Sequence, residues 1–125
     1  MLTNILSIFI GGGIGAVLRY IISTMCRNIF SLPIIGTFIA NLIGCFLIGC
    51  AFGIILNKSD IVPQTLRLFI TVGFLGGLTT FSTFSFETFE LIKNGKVITG
   101  LLYMIGSCLI GLILTFIGYY LACRA

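Results

Sequence analysis

The chain has 125 residues, 58% hydrophobic and 8% charged, with a mean hydropathy of +1.25. So apolar a composition excludes an ordinary soluble domain, and a net charge of +4 from basic and acidic side chains scattered singly at segment ends lacks the patch that nucleic-acid binding needs. With no histidine, no carboxylate pair inside an apolar run and no nucleophile beside a base, the common enzyme chemistries are excluded too.

In chain order, apolar segments occupy positions 2–25, 33–56, 65–91 and 97–122, each near the ~20 residues that a bilayer-spanning helix needs. The first has neither a basic n-region nor a small-residue cleavage site, so it reads as a span rather than a removable signal peptide. Connectors at 26–32, 57–64 and 92–96 carry Arg27, then Lys58, Asp60 and Pro63, then Lys93 and Asn94-Gly95. Connectors this short make neighbouring helices antiparallel, and an even number of crossings puts both ends on one side of the membrane. The expectation is an all-α integral membrane protein, a single domain over 1–125, with lipid as its solvent. Cys26, Cys45, Cys50, Cys108 and Cys123 show no metal-ligand spacing and lie mostly in apolar runs, so neither a disulfide framework nor a metal-thiolate site is expected.

Orientation is set by Lys and Arg in short loops. One side carries Lys58, Arg67 and Arg124; the other carries Arg27, Lys93 and Lys96, with Arg19 if it reaches that interface. A chain with so little bias inserts either way up, and two oppositely inserted copies pair as an antiparallel, dual-topology dimer. The sixteen glycines let backbones approach closely where lipid removes the hydrophobic drive. Gly11 and Gly15 form such a stripe in the first span, and Gly36, Ala40, Gly44, Gly49 and Gly53 in the second.

The third span differs in kind. Its run from Gly73 through Gly76-Gly77-Leu78-Thr79-Thr80-Phe81-Ser82-Thr83-Phe84-Ser85 is rich in residues that a helix disfavours, which predicts a break near 76–80. Freed backbone at membrane depth is tolerated where protein buries it or where it lines a wet cavity, so the break is either an ion site or a packing kink. Phe81 and Phe84 stand three apart beside Thr79, Thr80, Ser82, Thr83 and Ser85. They are either ordinary core or rings that offer a positive edge to an anion. Thr37 and Asn41 share a face of the second helix, and Tyr103 and Ser107 a face of the fourth. Asn41 in mid-span is interhelical glue or faces a water-filled path. Arg19 snorkels or holds a positive vestibule. Glu87 is interfacial by default, or turns inward to accept from Tyr103 or Arg19.

Three motifs, in order and on the right spans, carry a full-length resemblance to the Fluc/CrcB fluoride channels: Gly-Gly-Gly-Ile-Gly-Ala-Val-Leu-Arg-Tyr at 11–20, Gly-Thr-Phe-Ile-Ala-Asn-Leu-Ile-Gly at 36–44, and Gly-Gly-Leu-Thr-Thr-Phe-Ser-Thr-Phe-Ser at 76–85. The resemblance implies an antiparallel homodimer in the cell membrane with two fluoride pores, a structural sodium ion at its centre, and passive fluoride export. It implies that Phe81 and Phe84 are the family's phenylalanine box, Asn41 its pore-lining asparagine, and Gly76 and Thr79 the residues whose carbonyls hold sodium. It assigns Thr37, Thr83, Ser85, Glu87, Tyr103 and Ser107 to a polar track and Arg19 to the vestibule. Gly111 stands where a further hydroxyl would continue that track on the fourth helix. The alternative is a small dual-topology, proton-coupled multidrug exporter, which depends on an acid deep in its first helix; this chain has none there.

Overall fold

The computed structural model describes residues 1–58 and 61–124; Ser59 and Asp60, in the second connector, and Ala125 lie outside the described residues. Among the described residues every regular element is helical. α1 (Leu2–Phe30), α2 (Pro33–Asn57) and α6 (Val97–Arg124) are continuous. The third span, Gln64–Lys93, is assembled from α3 (Gln64–Leu68), a π-helical turn (Phe69–Phe74), α4 (Leu75–Leu78) and α5 (Phe81–Lys93). All four spans are long and apolar enough to cross a bilayer, and many of their large aliphatic side chains face outward, as suits a lipid solvent.

The helix ends follow local chemistry. α1 continues through 26–30, where the sequence predicts a connector, because Arg27 and Asn28 do not stop a helix leaving the bilayer and Arg27 suits its last turn. The stop comes at Ser31, left-handed at φ 57°, whose N–H donates to Arg27 O at 2.9 Å. Pro33 then starts α2. Between α5 and α6, Gly95 at φ 79° supplies the left-handed turn, and Lys96 N–H closes it onto Leu91 O at 2.9 Å.

α2 packs mainly on α6, while α1 lies against the π turn and α4; α5 turns instead to α6. Missing side chains make both seams possible. A Cβ at Gly11 would stand 2.5 Å from Phe69 O, and one at Gly15 would collide with Phe74 O. On the other seam, Gly49 faces Thr115 O, and Gly118 faces Phe46 O, too closely for any side chain. The third span thus leans on α1 with its first half and on α6 with its second. Residues 79–80 fall where it changes partner, opposite the middle of α2.

Candidate functional site

Thr79 (φ −88°, ψ 156°) and Thr80 (φ −149°, ψ 121°) are extended, while Gly76 and Gly77 remain within α4. The helix keeps Gly77 because its bare Cα packs against Gly12 O of α1. In an unbroken helix the N–H of Thr80 would serve Gly76 O, and that of Thr83 would serve Thr79 O. Here Thr80 N–H donates to Asn41 Oδ1 at 2.8 Å, and Thr83 N–H donates to Thr80 Oγ1 at 3.2 Å, which caps α5. Asn41 returns the bond by donating from Nδ2 to Thr80 O at 3.1 Å. The helical partners of the Gly76 and Thr79 carbonyls are therefore engaged elsewhere. Thr79 turns its hydroxyl back onto Leu75 O at 2.9 Å and leaves its carbonyl as the group it can offer.

A cavity of about 400 Å³ opens beside this stretch, lined by Asn41, Ser107, Phe81, Phe84, Gly76 and Thr79. One wall is polar without being charged. Among the described residues Ser107 Oγ is buried yet has no hydrogen-bond partner, and Asn41 Nδ2 keeps one of its two N–H groups after serving Thr80. Phe84 is 8% exposed and Phe81 79%, with ring centroids 5.9 Å apart at 47°. No Lys or Arg among the described residues lines the cavity.

A second cluster adjoins the first. Glu87 is turned inward rather than left at the interface: Thr37 donates to its Oε1 at 2.7 Å and Tyr103 to its Oε2 at 2.8 Å. Tyr103 is a partner that the sequence names; Thr37 arrives from α2, and Arg19 does not come to Glu87. The Tyr103 ring packs on Phe84 with centroids 5.2 Å apart, joining this cluster to the cavity. Each carboxyl oxygen of Glu87 is thus engaged by a different neighbouring helix.

The remaining candidates stand apart from the cavity. Thr83 Oγ1 accepts from Thr80 Oγ1 at 3.2 Å, within the cap of α5. Ser85 is partly exposed two residues on, and Arg19, partly exposed on α1, forms no ion pair among the described residues. Sequence reasoning missed Thr80 as the backbone that Asn41 clamps, although a threonine three residues before Thr83 at a helix start is a capping signal. It also missed Thr71, Cys45 and Cys108 as cavity lining, because nothing in their spacing marks it.

The CrcB-like protein family, described as Camphor Resistance (CrcB), matches residues 6–119. A protein of Pyrococcus furiosus is 42% identical over 123 residues, covering 98% of each chain. One of Aquifex aeolicus is 39% identical over 118 residues, 94% of each chain, and one of Serratia proteamaculans is 40% identical over 121 residues, covering 97% of this chain and 94% of its own. Each of these relatives bears the name fluoride-specific ion channel FluC.

Proposed function

The chain belongs to the CrcB family, and from that membership and the geometry of the cavity we propose that it is a fluoride-selective channel, a multi-pass protein of the cell membrane through which fluoride leaves the cell passively. The observation that carries the reading is the cavity wall, where an unpartnered Ser107 hydroxyl and a spare Asn41 N–H stand beside two phenylalanine rings. Fluoride is small and strongly hydrated, so a path for it must replace water with close donors. A Lys or Arg among them would hold the ion too tightly for release. Ring edges add weak positive potential without a full charge. The preference for fluoride over chloride rests on the relatives' names.

Beyond the cavity, Thr37, Glu87 and Tyr103 form the continuation of the polar track, with Thr83 and Ser85 on α5 and Arg19 drawing anions toward one mouth. Glu87 holds two hydroxyls in fixed positions; donors so held bind an anion only by exchanging partners. That makes this part of the track a place of weak binding, which conduction favours.

A second copy of the chain, inserted the opposite way, completes the path. The balanced loop charges support it, as does Phe81, a large aromatic left 79% exposed at the open side of the cavity. Sodium fits at the centre of that dimer through the Gly76 and Thr79 carbonyls, since both have lost their helical partners and carbonyl oxygen suits a hard cation. When bound, such an ion supplies a fixed positive charge; Asn41, by clamping Thr80, holds the two carbonyls in place. The exporter alternative is disfavoured by the absence of any acid in α1.

The test is efflux from liposomes that hold the purified protein and are loaded with fluoride or chloride, read by ion-selective electrodes after a potassium ionophore releases the charge. Fast fluoride efflux with chloride retained is the expected result. Equal movement of both ions, or of neither from protein shown to be dimeric, overturns the reading.

A further inference from the structure

Cys45 on α2 and Cys108 on α6 line the same cavity as Asn41 and Ser107, and both are free thiols. They come from different spans and meet because α2 packs along α6. The seam is close at this level. Cys45 Sγ lies 3.1 Å from where a Cβ on Gly111 would stand, and Gly111 follows Cys108 by three residues, on the same face of α6. One turn further, Thr115 donates to Cys45 O at 3.0 Å and fixes the register of the two helices. Cys45 is thus held over the α6 face that carries Cys108, whose side chain is exposed.

Among the described residues no three His, Cys, Asp or Glu side chains converge, so an ion that asks for three or four such ligands finds no home here. Two thiols in an apolar wall suit a soft monovalent ion, copper(I) or silver(I), for which two sulfur ligands in line suffice. We infer that Cys45 and Cys108 form a two-thiolate site for a soft monovalent metal ion, and that a metal held there closes the path through the cavity. On binding, two R–SH groups and one Ag⁺ give [RS–Ag–SR]⁻ and two H⁺, with no change of oxidation state. A wall that was neutral gains a net negative charge beside Asn41, Ser107 and the two rings, which opposes the entry of an anion where the dielectric is low. The effect on flux rests on the fluoride-channel reading; the metal site itself does not.

The test uses the full-length dimer in chloride-free buffer with silver nitrate as the probe, read both as silver bound per chain by native mass spectrometry and as fluoride efflux from liposomes. In a background where Cys26, Cys50 and Cys123 are alanine, one tightly held silver per chain and loss of efflux at the same silver concentration are expected. Adding Cys108→Ser, or Cys45→Ala at the more buried position, should raise the silver concentration for half-occupancy about tenfold or more. Unchanged silver affinity in both variants overturns the site. Unchanged efflux at full silver occupancy overturns the block while leaving the site. A background that binds silver but conducts no fluoride before silver is added places the failure in the channel reading.

Discussion

Asn41 and Thr80 are hydrogen-bonded in both directions, Thr80 N–H to Oδ1 at 2.8 Å and Nδ2 to Thr80 O at 3.1 Å, so one side-chain amide replaces a peptide partner at membrane depth. Asn41→Ala leaves the Thr80 N–H unpaired, at about 1–3 kcal/mol if it stays dry, while Thr80 O, the carbonyl of a helix N-cap, keeps the first bond of α5. Asn41→Asp keeps the acceptor but sets a second oxygen against Thr80 O. Both variants should lower the Tm of the detergent-solubilised protein and abolish fluoride efflux. A wild-type Tm for Asn41→Ala would mean that water serves Thr80 instead.

Phe81 and Phe84 separate in burial, 79% against 8% exposed. Phe84→Ile loses its ring contacts with Phe81 and Tyr103, at about 1 kcal/mol beyond the lost area. Phe81→Ile should leave the fold of the single chain nearly untouched. Both should sharply reduce fluoride efflux while leaving the size-exclusion profile of the wild type unchanged. Wild-type flux in both variants removes the rings from the mechanism.

Glu87 binds Thr37 and Tyr103 through separate oxygens. Tyr103→Phe and Thr37→Val should each cost about 1–3 kcal/mol, the penalty for leaving a buried carboxyl oxygen without its partner. Glu87→Gln should cost less than Glu87→Leu, since a hydroxyl can turn to accept from the new NH₂. Thermal unfolding of the four variants checks the order, and a Leu variant as stable as the Gln variant contradicts the pairing.

Gly44 faces Thr79 so closely that a Cβ there would run into Thr79 Cγ2. Gly44→Ala should displace the extended stretch and lower both Tm and flux. Thr79→Ala, which removes that methyl, should recover part of the loss in the double variant. No recovery would show that the clash is absorbed elsewhere.

If the Gly76 and Thr79 carbonyls hold sodium, replacing sodium by N-methylglucamine should lower the protein's Tm. Thr79→Val should keep this sodium dependence, because its carbonyl remains, while losing the bond from Thr79 Oγ1 to Leu75 O. A Tm indifferent to sodium in the wild type counts against the ion.

The spans were legible because their signal is one-dimensional: a bilayer fixes the length of an apolar run, and short connectors fix antiparallel order. The end of α1 was less so, since Arg27 and Asn28 are as polar in a helix as out of one; the left-handed Ser31 alone decides it. In the third span, composition pointed to 76–80, but which of those residues leave the helix depends on neighbours. Gly77 stays helical against α1, and Thr80 leaves it to meet Asn41.

The residues themselves determined that this is a four-span membrane protein with a hydroxyl-aromatic run in its third span, and that no mid-span Lys or Arg obstructs an anion unless Arg19 does. The tertiary structure alone decided which of those groups meet. Glu87 turned inward because Thr37 and Tyr103 arrive from two other helices to bond its two carboxyl oxygens, and Ser107 was left with an unspent hydroxyl at the cavity. Cys45 and Cys108 came to one wall because Gly111 and Gly118 let α6 close on α2. Spacing along one helix tells which side chains share a face, whereas the neighbour of that face is set by backbone packing over the whole bundle.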